Sequence, residues 1–140
     1  MWQTSDHNKA LELIIREPML VGVEGVVDWS QVEFPFYNNR GTLLGQVDVL
    51  LHKKEGGVLY EVEFKCHDST KQRLKAKEQL LIGRKGLKDQ YGFVVAHMLY
   101  VHDRFIVEEL LDQFVLLDDN REFVEEFQKR LDQGYGGGRI

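Results

Sequence analysis

The sequence predicts an α/β protein with a mixed central β-sheet flanked by helices. Segments with the two-residue apolar alternation of strands are interleaved with segments that have the 3.6-residue period of helices. A polar helical pattern also separates the third strand pattern from a fourth that is apolar almost throughout, which is typical of a parallel strand covered on both faces. The predicted element order is α-β-β-β-α-β, followed by two C-terminal helices.

The first half of the chain predicts one helix and a three-stranded meander. The helix covers Asp6–Glu17, because Ser5 or Asp6 can cap it and Pro18 stops it. The strand patterns "VEFPFY" and "TLLGQVDVLLHK" flank the turn signal "NNRG", which indicates a β-hairpin. A second turn, "KKEGG", leads into a third strand, "VLYEVEFKC".

The second half predicts a long polar helix, a buried strand and the two closing helices. Asp68, Ser69 or Thr70 can cap the polar helix, and "GFVVAHMLYV" is the fourth strand. The apolar positions of the closing helices are Ile106, Val107, Leu110, Leu111 and Phe114 for the first, and Phe123, Val124, Phe127 and Leu131 for the second. The sequence therefore predicts one domain over residues 1–133 and a flexible glycine-rich tail over 134–140.

Composition and charge favour a soluble, cytoplasmic protein. No apolar run approaches the ~20 residues that span a bilayer, and the N-terminal residues lack the pattern of a signal peptide. The single cysteine, Cys66, excludes an internal disulfide and fits a reducing compartment. The formal net charge of −5 does not by itself indicate nucleic-acid binding, but local charge distribution matters more than the sum.

Three charged side chains on adjacent predicted strands form the candidate site. Asp48 is a lone carboxylate among apolar neighbours, where it is costly unless it is paired or binds a cation. Glu63 and Lys65 are two residues apart and so share one face of the next strand. If the pairing brings Glu63 near Asp48, the two acids would bind Mg²⁺ or Mn²⁺, and Lys65 could act on an attacking water or on the phosphate charge. The competing interpretation is a solvated strand face that carries Glu61, Glu63 and Lys65.

The segments "GQVDVL" and "EVEFK", followed by a basic helix, resemble the PD-(D/E)XK nuclease superfamily, which includes restriction enzymes and archaeal Holliday-junction resolvases. Val47 stands where the family name has proline. The resemblance covers roughly residues 6–101 and implies a restriction-endonuclease-like core. It further implies metal-dependent hydrolysis of phosphodiesters, with Asp48, Glu63 and the backbone carbonyl of Phe64 as metal ligands. Many members add a glutamate from the first helix, for which Glu12 is the nearest candidate.

The polar helix after this motif concentrates positive charge in an otherwise acidic chain. We expect it to bind the nucleic-acid backbone through Lys71, Arg73, Lys75 and Lys77, with Gln72 and Gln79 as further contacts to sugar or phosphate. A zinc site formed by Cys66 and the histidines is not favoured, since their spacing matches no compact zinc pattern.

The function predicted from the sequence is that of a Mg²⁺-dependent DNA endonuclease with structure-selective or sequence-tolerant cleavage. The alternative is a non-catalytic module that keeps the fold and binds nucleic acid or a protein; an RNA-directed enzyme would share the chemistry. A homodimer would suit cleavage of both strands. Its interface is predicted on the two C-terminal helices, through Phe105, Phe114, Phe123 and Phe127.

Overall fold

The structure is a computed structural model that describes residues 4–103 and 105–117. The helices are α1 (Thr4–Arg16) and α2 (Thr70–Tyr91), and the strands are β1 (Trp29–Tyr37), β2 (Leu43–Lys53), β3 (Val58–Lys65), β4 (His97–His102), β5 (Ile106–Leu110) and β6 (Phe114–Leu116). The predicted order α-β-β-β-α-β is therefore confirmed as far as β4. The predicted tail at 134–140 lies outside the described residues.

The strands form one mixed sheet in the order β1-β2-β3-β4-β5-β6. All neighbours are antiparallel except β3 and β4, which run parallel, with Glu63 opposite Tyr100 and Lys65 opposite His102. The parallel pair follows from the chain order. Helix α2 carries the chain back to the end of the sheet at which β3 begins, so β4 runs in the same direction as β3.

Each face of the sheet is covered by one helix. On the α1 face, Leu11 and Ile14 pack with Val62 and Phe64. On the α2 face, Leu80 packs with apolar side chains that include Leu50, Leu59 and Tyr100. The residues of β3 alternate between these two cores, so the side chains of Glu61, Glu63 and Lys65 lie on the α2 face. The sequence predicts that they share a face but not which helix covers it.

The alternation of β1 and β2 breaks at Glu33 and Asp48. Val47 packs on the α2 face and Val49 on the α1 face, although they are two residues apart. Val32 pairs with Val49 and Phe34 with Val47, and Glu33 between them has a φ of 51°. A non-glycine residue with positive φ marks a local distortion of the strand. Asp48 thus lies at a bend, where the regular alternation that the sequence predicted for β2 no longer holds.

Helix α2 crosses the sheet from β5 toward β1. Ser69 caps its N-terminus by accepting a hydrogen bond from the Gln72 N–H at 3.1 Å. Two glycines let the helix approach the sheet closely: a Cβ on Gly83 would overlap the Glu61 carboxylate, and a Cβ on Gly86 would overlap the Phe36 ring. The helix therefore lies directly over the acidic residues of β3.

The prediction of a helix over the apolar positions from Ile106 to Phe114 is wrong. Residues 106–116 form the β5–β6 hairpin, which extends the sheet from the edge of β4. Their apolar spacing also fits a strand pair, because Val107 packs on the α1 face and Leu110 on the α2 face. The backbone groups at the edge of β4 favour strand pairing over local helix formation. The second predicted helix, with Phe123 and Phe127, lies outside the described residues.

Candidate active site

Asp48, Glu63 and Lys65 come together at the end of β3, as the sequence predicts. The regular β2–β3 pairing stops at Val49 and Val62, and beyond this point Asp48 Oδ2 accepts a hydrogen bond from the Phe64 N–H at 2.8 Å. The Asp48 carboxylate therefore replaces a backbone ladder bond. Lys65 Nζ lies 3.2 Å from Glu63 Oε2, and the Lys65 and Asp48 side chains both keep 16% of their surface exposed. The group is recessed but still reaches solvent.

Asp48 and Glu63 form a pair of acids whose negative charge is only partly offset by Lys65. Burial, and then the neighbouring charge of Asp48, raise the pKa of Glu63 to about 8, although Lys65 acts in the opposite direction. A single ammonium thus does not hold Glu63 in its charged form at neutral pH. A divalent cation between the two carboxylates would supply the missing positive charge, and oxygen donors are the ligands that Mg²⁺ and Mn²⁺ prefer.

Glu61 is a third acid on the same face, and it is buried with 1% of its surface exposed. Its Oε1 has no hydrogen-bond partner among the described residues. Burial, and then the charge of Glu63, raise the pKa of Glu61 to about 9. Since Glu63 is also buried, at 4% exposed, the competing interpretation of a solvated strand face is wrong.

Helix α1 contributes His7 to the site. His7 Nε2 lies 3.4 Å from Asp48 Oδ2, and its ring packs on Phe64 with centroids 5.7 Å apart. The hydrogen bond to Asp48 raises the pKa of His7. The sequence contained a signal for this position, because His7 precedes Ala10 and Ile14 by three and seven residues and so extends the apolar stripe of α1 toward the sheet.

The structure does not bring Glu12 to this site. Glu12 is exposed, and it lies five residues from His7, which is about 140° around a helix of 3.6 residues per turn. Where the resemblance led us to expect a glutamate from the first helix, the imidazole of His7 is the α1 group beside Asp48.

Gln79 of α2 contacts Lys65, the lysine of the candidate site. Lys65 Nζ donates a hydrogen bond to Gln79 Oε1 at 2.7 Å. The ammonium is therefore held between the Glu63 carboxylate and the Gln79 amide, and its direction is fixed from two sides. The sequence indicated Gln79 only as a contact to sugar or phosphate.

The four basic residues predicted to bind nucleic acid do not form one patch. Arg73 makes two hydrogen bonds to the Glu108 carboxylate, at 2.6 and 2.8 Å, and Lys77 donates to the Asp112 carbonyl at 3.4 Å. Both therefore face β5 and β6. Lys71 and Lys75 are exposed on another side of α2. From helical spacing, Lys75 and Gln79 are neighbours, so these two lysines flank the Lys65 side of the helix.

One cluster in the described part of the chain has three side chains suited to metal binding: Asp68, His102 and Glu108, whose ligand atoms lie within 4.8 Å of one another. Arg73 already interacts with both acids, at 2.6 Å from Glu108 and 3.3 Å from Asp68. The hydrogen bond from Arg73 lowers the pKa of Glu108. The positive charge at this cluster is thus supplied by a guanidinium, whereas the cationic groups beside the Asp48–Glu63 pair, in the part of the chain that the structure describes, are Lys65 and the partly exposed His7.

No helix among the described residues is long and apolar enough to cross a membrane.

Comparisons with known proteins leave the family open. No family model and no curated protein matches the chain. Among solved structures, the chain is similar to one described as "Structure of EndoMS-dsDNA2 complex", with 20% sequence identity over 73% of this chain and a TM-score of 0.43. The matched part is 36% of that chain, so this protein spans about a third of its neighbour's length. A likeness of this size defines neither a fold nor an activity.

Proposed function

We propose that this protein is a metal-dependent nuclease that hydrolyses DNA phosphodiester bonds. The observation that supports the proposal is the convergence of Asp48, Glu63 and Lys65 in a recessed site that still reaches solvent. Acids that are forced together and only partly compensated are typical of cation sites, and perturbed pKa values cluster at functional sites.

Asp48, Glu63 and the backbone carbonyl of Phe64 would hold Mg²⁺ or Mn²⁺. The Phe64 N–H points toward Asp48, and in an extended strand the carbonyl of the same residue points to the same side. When bound, the cation would stabilise the developing charge on the phosphate and favour deprotonation of water. Glu12 is exposed away from the site and is not among the proposed ligands, whereas His7 of α1 lies 3.4 Å from Asp48.

Lys65 would act on the reacting atoms. Its ammonium, positioned by Glu63 and Gln79, would orient the attacking water or stabilise the charge that grows on the scissile phosphate. Lys71 and Lys75 would bind the DNA backbone beside the site. Arg73 and Lys77, which the sequence placed in the same role, face the β5–β6 side, so their contribution to binding would be smaller.

We further propose that cleavage is endonucleolytic and structure-selective or sequence-tolerant. A homodimer would place two sites on one duplex. Phe105 cannot contribute to the interface of such a homodimer, because its side chain is buried against Phe64 with ring centroids 5.7 Å apart.

The experiment that tests the proposal is cleavage of a supercoiled plasmid and of a four-way DNA junction with Mg²⁺, Mn²⁺ or EDTA. We expect nicking or resolution that needs the metal, and a loss of at least about 100-fold in rate for Lys65→Ala, the size typical for removal of one charge-stabilising group. Lys54→Ala is the matched control, because Lys54 is exposed in the turn at the other end of β3.

Cleavage in EDTA, or wild-type rates in Lys65→Ala, would contradict the assigned chemistry. An inert wild-type protein that still binds these substrates would establish the non-catalytic module instead. Cleavage of RNA in preference to DNA would keep the mechanism and change the substrate.

A further inference from the structure

The β1–β2 hairpin extends past the rest of the sheet next to the candidate active site. Pairing between β2 and β3 begins at Val49, so among the described residues the ladder partner of residues 43–48 of β2 is β1. The hairpin bends over α2, where the Phe36 ring packs on Gly86 and the Tyr37 N–H donates to Gln90 Oε1 at 2.6 Å. Because the bend lies at Asp48, the projecting part of the hairpin starts at the site itself.

The tip of this hairpin is held in one conformation by its own hydrogen bonds. Asn38 Oδ1 accepts from the Arg40 N–H at 2.8 Å and from the Thr42 N–H at 2.9 Å. The Asn38 N–H donates to the Thr42 carbonyl at 2.9 Å, and Gly41 supplies a φ of 79° that most residues avoid. A tip ordered in this way loses little conformational entropy when it binds a partner.

The exposed surface of the hairpin combines apolar, amide and guanidinium groups. Tyr37, Leu43 and Leu44 are 36%, 51% and 52% exposed. Arg40 is exposed as well, and residues 34–47 contain no Asp or Glu in a chain with 23 acids. Asp89 of α2 lines the groove next to Tyr37 and Leu44, and it is paired with Lys85 at 2.7 Å. The hairpin segment between Glu33 and Asp48 therefore carries Arg40 and no carboxylate of its own, and this charge is complementary to a polyanion.

We propose that the β1–β2 hairpin contacts double-stranded DNA and inserts Leu43 and Leu44 against partly unstacked bases, while Arg40 binds the backbone. This inference rests on the proposed function, which it deepens by naming the element that selects distorted duplexes. Apolar wedges next to basic and amide side chains are a known means of binding and kinking DNA through the minor groove. Leu44 lies four residues from Asp48, about 13 Å along an extended strand, so the contact would fall about four base steps from the scissile phosphate.

The experiment uses the full chain and a duplex that carries 2-aminopurine at successive positions on both sides of a mismatched or branched centre, with binding measured in EDTA. We expect the wild-type protein to raise 2-aminopurine fluorescence at one or two positions. The double variant Leu43→Ser/Leu44→Ser should lose this signal and bind the duplex at least tenfold more weakly. Val94→Ser is the control, because Val94 is an exposed apolar residue in the loop between α2 and β4. Thermal unfolding checks that both variants fold.

Wild-type affinity and an unchanged fluorescence signal in the double variant would overturn the inference. So would a wild-type dimer that the double variant converts to monomer without any change in DNA affinity, since the hairpin would then bind a second copy of the chain. If the double variant still cuts single-stranded DNA but has lost the duplex signal, both proposals stand. If the wild-type protein gives the duplex signal but cuts nothing, the hairpin contact stands and the nuclease function fails.

Discussion

Burial decides the chemistry of the two glutamates of β3 more than their sequence neighbours do. Glu61 and Glu63 alternate with apolar residues in a pattern that an exposed strand would also show. In the structure α2 covers both, and both pKa values rise far above the ordinary value of 4.5. Glu63 shares its environment with Asp48 and Lys65, which gives it a functional interpretation, whereas Glu61 lies against Gly83 without a partner for Oε1 among the described residues.

For this single residue we predict that Glu61→Gln removes part of the pH dependence of the free energy of unfolding. The folded-state pKa of about 9 lies above the ordinary value of 4.5, so the folded chain keeps a proton that the unfolded chain releases between these values. The contribution of Glu61 to the free energy of unfolding is therefore full below pH 4.5 and declines as the pH rises toward 9. The slope for one group is at most about 1.4 kcal/mol per pH unit.

Urea unfolding in EDTA at pH 5 and pH 8 measures this effect. The advantage of Glu61→Gln over wild type should grow between the two values, while the exposed control Glu55→Gln should follow wild type at both. Parallel pH profiles for Glu61→Gln and wild type would show that Glu61 stays ionised in the folded protein.

At the level of elements, the contact between α2 and the sheet depends on the two glycines of the helix. Gly83 and Gly86 bring the helix axis close enough to bury Glu61 and Phe36. This close approach also places Gln79 within 2.7 Å of Lys65. The same helix therefore provides the cover of the acids and one of the groups that orient the lysine.

We predict that Gly83→Ala destabilises the protein by about 1–3 kcal/mol, the usual range for overpacking. The sign of the change in stability is informative, because a Gly→Ala substitution at an uncrowded helix position would stabilise the protein by up to ~1 kcal/mol. The new Cβ would overlap the Glu61 carboxylate and lie 3.1 Å from Val47 Cγ2. Denaturant titration of the variant gives the change in free energy.

A double-mutant cycle locates the cause. Glu61→Ala should recover part of the loss in Gly83→Ala, because it removes the group that the methyl overlaps. It should not recover any loss in Gly86→Ala, where the obstacle is the Phe36 ring. Additive effects of Glu61→Ala and Gly83→Ala would mean that the helix shifts away from the sheet instead.

For the whole molecule, the candidate site exists only in the assembled fold. It draws His7 from α1, Asp48 from β2, Glu63 and Lys65 from β3, and Gln79 from α2. A ligand that binds this arrangement and not the unfolded chain must raise the melting temperature by mass action.

We predict that Mn²⁺ stabilises the folded protein through Asp48 and Glu63. At 100 times its Kd the ion would add about 2.7 kcal/mol, which corresponds to a rise of several degrees in Tm. Asp48→Asn and Glu63→Gln should abolish the rise. Because the pKa of Glu63 is raised to about 8, metal binding must displace a proton, so the affinity should increase from pH 6 to pH 8.

Glu108→Gln is the control that separates the two candidate clusters in calorimetric scans with and without Mn²⁺. Its Mn²⁺-induced rise should equal that of wild type, although its Tm without metal should be lower, because Arg73 loses the nearer of its two charged partners. If the rise persists in Asp48→Asn and disappears in Glu108→Gln, the ion binds at Asp68, His102 and Glu108 instead.

Local pattern was sufficient for much of the fold and for part of the site. The period of α1, the turn "NNRG" and the alternation of β3 depend on neighbouring residues, so they could be predicted from the sequence. The apolar spacing of residues 106–114 satisfied both a helix and a strand pair, and only the available edge of β4 decided between them. Long-range pairing of this kind has no local signature.

The sequence by itself determined which functional groups are present: an aspartate in β2, a glutamate and a lysine two residues apart in β3, and a helix rich in lysine that follows them. Only the tertiary structure decided which groups meet. It places His7 rather than Glu12 beside Asp48, assigns Arg73 to Glu108, and buries Glu61 under Gly83. The physical reason is that residue type and spacing fix the direction of a side chain within its own element, whereas burial, charge pairing and pKa depend on the element that packs across from it.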